Sequence, residues 1–355
     1  MMQGNQQTIG IAGAGLLGRL LAWSLAQQGF AVQVFDRNHA APTFDGQQSA
    51  GFTAAGMLSP LAELDNSSVH VAMLGWRSMG LWQHITAQLG QPNLMQRAGS
   101  LLLAHRTEVG AAQRVLARLE RAPAHTPQPQ VLTAQALAQL EPVLYSSAYA
   151  WLLPDEGHMD AVATMMALQH QSPQAQWHWN TPVSAVELGF ITTEDGRVHR
   201  FDHVFDVRGA GGRPALPVRG VRGELLWLHL PEHGLKRPVR LLHSRHRVYI
   251  VPRSTDTLLV GASEIESEDR SGVSVRSAVE LLTAAHSIFP ALAEARIIRM
   301  DVNLRPALPD NEPLIHTQSG LTRINGLFRH GWLLAPALVQ DALLACNMPL
   351  YFESA

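Results

Sequence analysis

Lysine is nearly missing from this 355-residue chain: Lys236 is the only one, so arginine carries almost all of the positive charge. Charged residues make up 16% of the sequence and the net charge is −2, and nothing in that balance suggests a surface for nucleic acid or another polyanion. Cysteine is equally scarce. Cys346 stands alone, and one thiol excludes an internal disulfide, an iron–sulfur cluster and a cysteine-rich zinc site, which fits a reducing cytoplasm. No apolar run reaches the roughly 18 uncharged residues of a membrane span. The nearest, WLLAPALVQDALLA, is cut by Asp341, so no integral membrane segment is expected. The apolar N-terminus has no basic leader and is interrupted by Arg19, so it reads as strand and helix, not as a secretory signal. A G-x-S-x-G elbow is also missing, which sets aside an α/β-type serine hydrolase. No G-K-[ST] follows the first glycines, which sets aside a P-loop. His243 and His246 have a metal-like spacing, but on a strand they would point to opposite faces. No third ligand accompanies them, and no metal is expected.

What the chain does have begins at Thr8. Ile9 and Ile11 open an apolar strand, Gly13, Gly15 and Gly18 form G-x-G-x-x-G, a helix-period run follows from Leu16 to Gln27, and a second strand runs from Ala31 to Phe35. In such a βαβ unit Gly13 permits the tight turn, Gly15 lets the backbone approach a pyrophosphate, and Gly18 lets helix and strand pack closely. The helix N-terminus favours the anion. Asp36 at the tip of the second strand suits an adenosine ribose and disfavours a 2′-phosphate, so the unit reads as a site for FAD or NAD.

Further along, Ser49–Pro60 is made mostly of small residues. Ala54, Ala55 and Gly56 could lie along a flat ligand with Met57 behind them, or could pack as a small-residue turn against another element. Apolar spacing predicts a helix from Ser67 to Leu89, weakened by Gly75 and Gly80, and a strand at 99–104. A surface helix at 108–121, a proline-rich connector at 122–130 and a short helix capped by Thr133 follow. Asp160 is the expected N-cap of another helix. His158 before it sits in an expected loop, as a hydrogen-bond partner or as a direct participant. HVFDVRGAGG delivers a strand into Gly209, Gly211 and Gly212, as if returning to the nucleotide. From Gly220 the pattern turns to strands, GELLWLHL, PVRLLH, RVYIVPR and TLLVGASE, the pattern of an antiparallel sheet set into an α/β frame. The strand from Ile297 is expected to close at Arg305-Pro306.

Tyr249, Arg253, Arg305 and Arg329 stand in or beside apolar strands and tight turns. A bare charge there is costly unless it meets a carboxylate or phosphate. For Arg305 the readings are a substrate carboxylate or a buried ion pair with Asp310 or Glu264. For Tyr249 they are a hydroxyl presented to the same ligand or ordinary strand packing.

These residues carry a resemblance. GAGLLG with Asp36, AAGMLSPLAE at 54–63, VRGVRGELLWL at 218–228, YIVPR at 249–253, VGASE at 260–264, LRPALPDNEP at 304–313 and FRHGWLLAP at 328–336 are similar, in order, to the FAD-dependent D-amino-acid oxidase family, and most like its glycine-oxidase branch of thiamine biosynthesis. Two stretches depart from the family pattern: its usual glycine-histidine before the arginine turn is Gly326-Leu327 here, and its alanine-rich stretch after the strand at Val204 is VRGAGG.

The resemblance implies an α/β fold, α+β overall. A Rossmann-like FAD-binding domain (1–85, 145–215 and 310–355) would be interleaved with an antiparallel-sheet substrate domain (86–144 and 216–309). It implies FAD held by Gly13, Gly15, Leu16, Leu17, Gly18, Asp36, Arg37, Ala54, Ala55, Gly56, Met57, Gly209, Gly211, His330, Gly331, Trp332 and Leu333. Tyr249 and Arg305 would grip the carboxylate of a small amino-acid substrate, with Arg329 beside them and molecular oxygen as acceptor. It admits a homo-oligomer.

Overall fold

Thr8–Ala12 lies at the centre of a six-stranded sheet because it is flanked on both sides by parallel apolar strands, His203–Asp206 and Ala31–Phe35. The computed structural model describes residues 6–144, 149–242 and 247–352, and His243 and His246 lie outside the described residues. In spatial order the sheet runs Leu314–Gln318, Leu321–Asn325, His203–Asp206, Thr8–Ala12, Ala31–Phe35 and Gln176–His178. All pairs are parallel except the first. The helices Leu16–Gln27, Val69–Gln88, Ala161–His170 and Gly331–Ala345 pack on it around one apolar core. Trp82 and Trp332 meet there with ring centroids 5.4 Å apart, and the Trp82 indole donates to the Trp332 carbonyl at 2.7 Å. Buried aromatic groups of this kind need such a partner.

The helix expected from Ser67 to Leu89 runs unbroken over Val69–Gln88, with the Ser68 hydroxyl accepting from the Val71 amide. Gly75 does not interrupt it: the Leu333 side chain occupies the space where a Cβ would stand. Thr133, Asp160 and Ser274 cap their helices in the same way.

The second, eight-stranded sheet runs Arg296–Ala307, Arg219–His229, Thr257–Gly261, Arg247–Pro252, Val239–Leu242, Ser100–Ala104, Tyr149–Leu153 and Gln130–Leu132. It is antiparallel except where Val239–Leu242 pairs parallel with Ser100–Ala104, the line along which two sequence-distant segments join. Tyr149–Leu153 belongs to this sheet. The strand expected to close at Arg305-Pro306 instead continues to Ala307, paired residue by residue with Arg219–Val221. It tolerates Pro306 because it is an edge strand with a partner on one side only. The same continuation keeps Arg305 inside the ladder, on a rigid element.

No helix among the described residues is long and apolar enough to cross a membrane. Where the first strand meets its helix, Gly13 adopts a φ of 106° and a Cβ on Gly18 would overlap the Gly13 carbonyl. Gly18→Ala is therefore expected to lower stability by roughly 1–3 kcal/mol, the range for overpacking a close contact. Urea unfolding measures this, and an unchanged midpoint would mean that the helix moves off the strand without strain.

Candidate active site

Between the two sheets lies a cavity of about 1090 Å³ that reaches from the glycine turn at Gly13 and Gly15 to the face of the eight-stranded sheet carrying Tyr249 and Arg305. Its size sits at the upper end of small-molecule sites, roughly 300–1,000 Å³. Two helices start on it, Leu16–Gln27 with Gly15 as N-cap and Gly331–Ala345 with His330 as N-cap, and neither has a side-chain cap. Their first N–H groups are thus left for an anion or another acceptor, unlike those of the helices capped by Ser68, Thr133, Asp160 and Ser274. A Cβ on Gly331 would meet nothing within 4 Å, so the second helix opens onto free space.

The walls are braced from behind. Asp36 accepts from the Ala14 amide at 2.6 Å and from the Asn38 amide at 2.8 Å, tying the glycine turn to the tip of the second strand. The Asn325 amide group donates to the Gly209 carbonyl at 2.9 Å and holds the glycine-rich return, 209–212, against the sheet. Arg253 donates to the carbonyls of Ala55, at 2.9 Å, and Met159, so it stiffens the small-residue run and does not line the cavity. Within that run Gly56 has a φ of 71°, and a Cβ there would overlap the Met159 carbonyl. The reading of a small-residue turn packed against another element is borne out at Gly56, and Ala54, Ala55, Gly56 and Met57 line the cavity.

Arg305 and Tyr249 come from strands on opposite sides of a pair of glycines. The Arg305 guanidinium lies over Gly223, where a Cβ would stand 2.5 Å from it, and the Tyr249 ring lies over Gly261, whose Cβ would be 2.7 Å from the hydroxyl. A side chain at either glycine would expel the polar head above it. Both heads are half-buried. Arg305 donates to the carbonyls of Ser263 at 3.0 Å and Arg222 at 3.4 Å, and among the described residues it has no carboxylate within ion-pair distance. The ion pair considered with Asp310 or Glu264 is thus not formed. Burial lowers the Arg305 pKa from its ordinary value, with the Tyr249 and Glu264 charges opposing the shift, and burial raises that of Tyr249.

Arg329 is committed. Its Nη2 lies 2.9 Å from Glu63 and its Nη1 3.4 Å from Glu264. Glu63 also faces His330 Nδ1 at 3.3 Å and Arg240 at 3.7 Å. Burial opposes ionisation of Glu63, but His330, Arg329 and Arg240 together overcome it and hold the carboxyl at about 2. Burial brings His330 down to about 4 despite the neighbouring carboxylate, so the imidazole is neutral near pH 7.

Every residue that the resemblance assigns to the site lines this one cavity except Gly18, which sits behind the turn; Arg253 and Gly212, singled out from the residues themselves, do not line it. His158 does not: it is in a three-residue strand, Gly157–Met159, instead of a loop, and is buried away from the cavity. The sequence reading did not single out Glu63 or Arg240, and it named Glu264 only as a candidate ion-pair partner of Arg305. Glu63 and Glu264 stand inside the quoted stretches AAGMLSPLAE and VGASE, and Arg240 sits opposite Tyr249 in the strand register.

Residues 8–341 match the family model described as FAD dependent oxidoreductase. A protein of Rhizobium etli named as a thiamine biosynthesis oxidoreductase, ThiO, is 37% identical over 334 residues, 93% of this chain and 94% of the relative. A glycine oxidase of Geobacillus kaustophilus is 25% identical over 359 residues, 92% of this chain and 89% of the relative. The crystal structure of glycine oxidase from Geobacillus kaustophilus superposes with a TM-score of 0.80 at 23% identity, covering 99% of this chain and 98% of that one.

The Glu63 cluster has a pH signature. The Glu63 pKa is depressed from 4.5 to about 2, so its stabilisation is complete above pH 4.5 and is lost as pH falls towards 2. That of His330 falls from 6.5 to about 4, so the unfolded chain binds this proton first and stability also declines as pH falls from 6.5 to 4. Glu63→Gln should flatten the acid limb below pH 4.5 and cost roughly 3–5 kcal/mol at neutral pH, by leaving arginines uncompensated. Denaturant unfolding across a pH series reads both effects. An unchanged limb would place Glu63 outside any charge network.

Proposed function

From the premise that this chain belongs to the FAD-dependent oxidoreductase family, we propose that it oxidises glycine or a small D- or N-methyl amino acid, with oxygen as the electron acceptor. The observation that carries this reading is Arg305: a half-buried guanidinium bonded only to carbonyls, beside the Tyr249 hydroxyl, on a glycine floor inside the cavity. A desolvated cation in that position calls for a carboxylate, and Arg is the side chain suited to holding one.

The cavity suits FAD on its own geometry, with two uncapped helix N-termini, a turn at Gly13 too tight for any Cβ, and room for a small ligand besides. In the proposed arrangement Gly13, Gly15, Leu16 and Leu17 hold the pyrophosphate at the first helix. Gly18 allows that helix its close approach, and Asp36 and Arg37 take the adenosine side. Ala54–Met57, Gly209, Gly211 and His330–Leu333 surround the ring end. The chemistry FAD would supply there is two-electron acceptance: it would take hydride from the substrate Cα at flavin N5, the imine would hydrolyse to 2-oxo acid and ammonia, and oxygen would be reduced to hydrogen peroxide.

The protein's own task is orientation. Arg305 and Tyr249 fix the carboxylate, which sets the direction of the Cα–H bond. Arg329, already balanced by Glu63 and Glu264, shapes the pocket without adding a bare charge. This chemistry needs no protein acid or base with a tuned pKa, consistent with His330 being held neutral. We further propose that the two sheets form the FAD-binding and substrate-binding units respectively, with Tyr149–Leu153 in the second. The name of the Rhizobium etli relative supports a place in thiamine biosynthesis, and the single cysteine supports the cytoplasm.

Arg305→Ala is expected to weaken apparent substrate affinity by roughly 2–5 kcal/mol. Tyr249→Phe, which removes one hydrogen bond, should cost about 0.5–1.5 kcal/mol. Steady-state kinetics measure both, and wild-type constants in Arg305→Ala would contradict the assignment. Peroxide released in air supports oxygen as acceptor, and substrate oxidation that proceeds only with a quinone or protein acceptor would overturn that part.

A further inference from the structure

The corner of the cavity that takes the carboxylate holds more charge than one substrate carboxylate requires. The charged side chains that bear on Arg305, Tyr249 and Arg329 are Arg240, Glu63 and Glu264, all of which line the cavity. Among the described residues, Arg329 and Arg240 have Glu63 and Glu264 beside them, Arg240 also has the buried Glu156 nearby, and Arg305 has no carboxylate in contact. Arg329 is closed at both ends, by Glu63 at 2.9 Å and by Glu264 at 3.4 Å, and Arg240 faces Glu63 at 3.7 Å. That leaves Arg305 as the open cation.

The two glutamates are not equivalent. Glu63 is buried and held by Arg329, Arg240, His330 and Ser67 together. Glu264 has a half-exposed side chain and the single long contact to Arg329 Nη1. It stands three residues beyond Gly261, the glycine beneath Tyr249, on the segment whose Ser263 carbonyl holds Arg305. Its carboxylate therefore occupies the position from which Arg329 would otherwise greet a second acidic group.

We infer that Glu264 is a specificity-determining residue that restricts this site to substrates with one carboxylate, by withholding Arg329 from a second. A monocarboxylate amino acid satisfies Arg305 and brings no second carboxylate to Glu264. A dicarboxylate would bring a second negative charge against Glu264 and find no free guanidinium, a repulsive element of the kind specificity often uses. The inference rests on the reading above that Arg305 takes the substrate carboxylate.

The test uses the flavin-loaded full chain and inert anions. Acetate and malonate are titrated into wild type, Glu264→Gln and Glu264→Asp, and binding is followed by perturbation of the flavin absorbance. Glu264→Gln should gain malonate affinity by roughly tenfold while acetate affinity moves by less than about threefold. Glu264→Asp, which keeps the charge and checks that the effect is not general loosening, should stay close to wild type. The ratio of kcat/KM for iminodiacetate over sarcosine should rise in Glu264→Gln by a similar factor. Parallel shifts for both anions, or none, would overturn the inference, as would the same malonate gain in Glu264→Asp. If malonate gains as expected but no amino acid reduces the flavin, the charge assignment stands and the substrate proposal falls. If glycine turns over but malonate gains nothing, the reverse holds.

Discussion

A guanidinium placed where water is scarce has to find an anion or be neutralised by its surroundings, and in the corner of the cavity beside Tyr249, Arg305 leaves that demand unmet. The rest of the substrate corner is arranged around it. The edge strand Arg296–Ala307 runs past Pro306, so Arg305 stays on a rigid ladder. Gly223 and Gly261 remove the side chains that would block the approach of Arg305 and Tyr249 from opposite sides. Main-chain carbonyls at Ser263 and Arg222 orient the guanidinium without satisfying its charge. Groups positioned by backbone and by absent side chains move little when a ligand arrives, and that preorganisation is what orientation-dependent chemistry needs.

The other charges in the corner are handled in the opposite way. Arg329, Arg240 and His330 converge on Glu63, which stays ionised near pH 7 because the charged neighbours outweigh its burial. Breaking such a buried set is expensive. It fixes the loop that leads into the helix Gly331–Ala345, and with it an uncapped N-terminus facing the cavity. At the far end the helix Leu16–Gln27 presents a second one, with Asp36 holding the turn before it. The cavity is thus bounded by two helix dipoles and, at its substrate corner, by the open cation Arg305, a field suited to an anionic cofactor and a carboxylate substrate together.

Local features were legible in the amino-acid sequence and relations between distant strands were not. The βαβ unit from Thr8, the caps at Thr133 and Asp160 and the strands from Gly220 follow from short-range spacing, and the structure has them. In the helix Val69–Gln88 Gly75 signals a break locally, while its reason, the Leu333 side chain, comes from far along the chain. Pro306 signalled a strand end for the same reason: only the sheet order shows that this strand has a free edge. In the site, Arg305 and Tyr249 stood out as polar groups in apolar strands. Gly223 and Gly261 did not, since a glycine beneath another strand's side chain is visible only through cross-strand register. Glu63 and Glu264 lacked any local oddity, and their meaning lies in Arg329, more than 60 residues from the nearer one.

The central claim is that the charge left open at Arg305 orients a small amino acid for oxidation by bound flavin, and anaerobic reduction measures it most directly. Glycine, sarcosine and D-alanine are added in turn to the oxidised, oxygen-free holoprotein while its visible spectrum is recorded. The account predicts that at least one of them bleaches the flavin bands, and that Arg305→Ala needs far more of it to do so. Bands that persist with all three, in a protein that dithionite still bleaches, would contradict it.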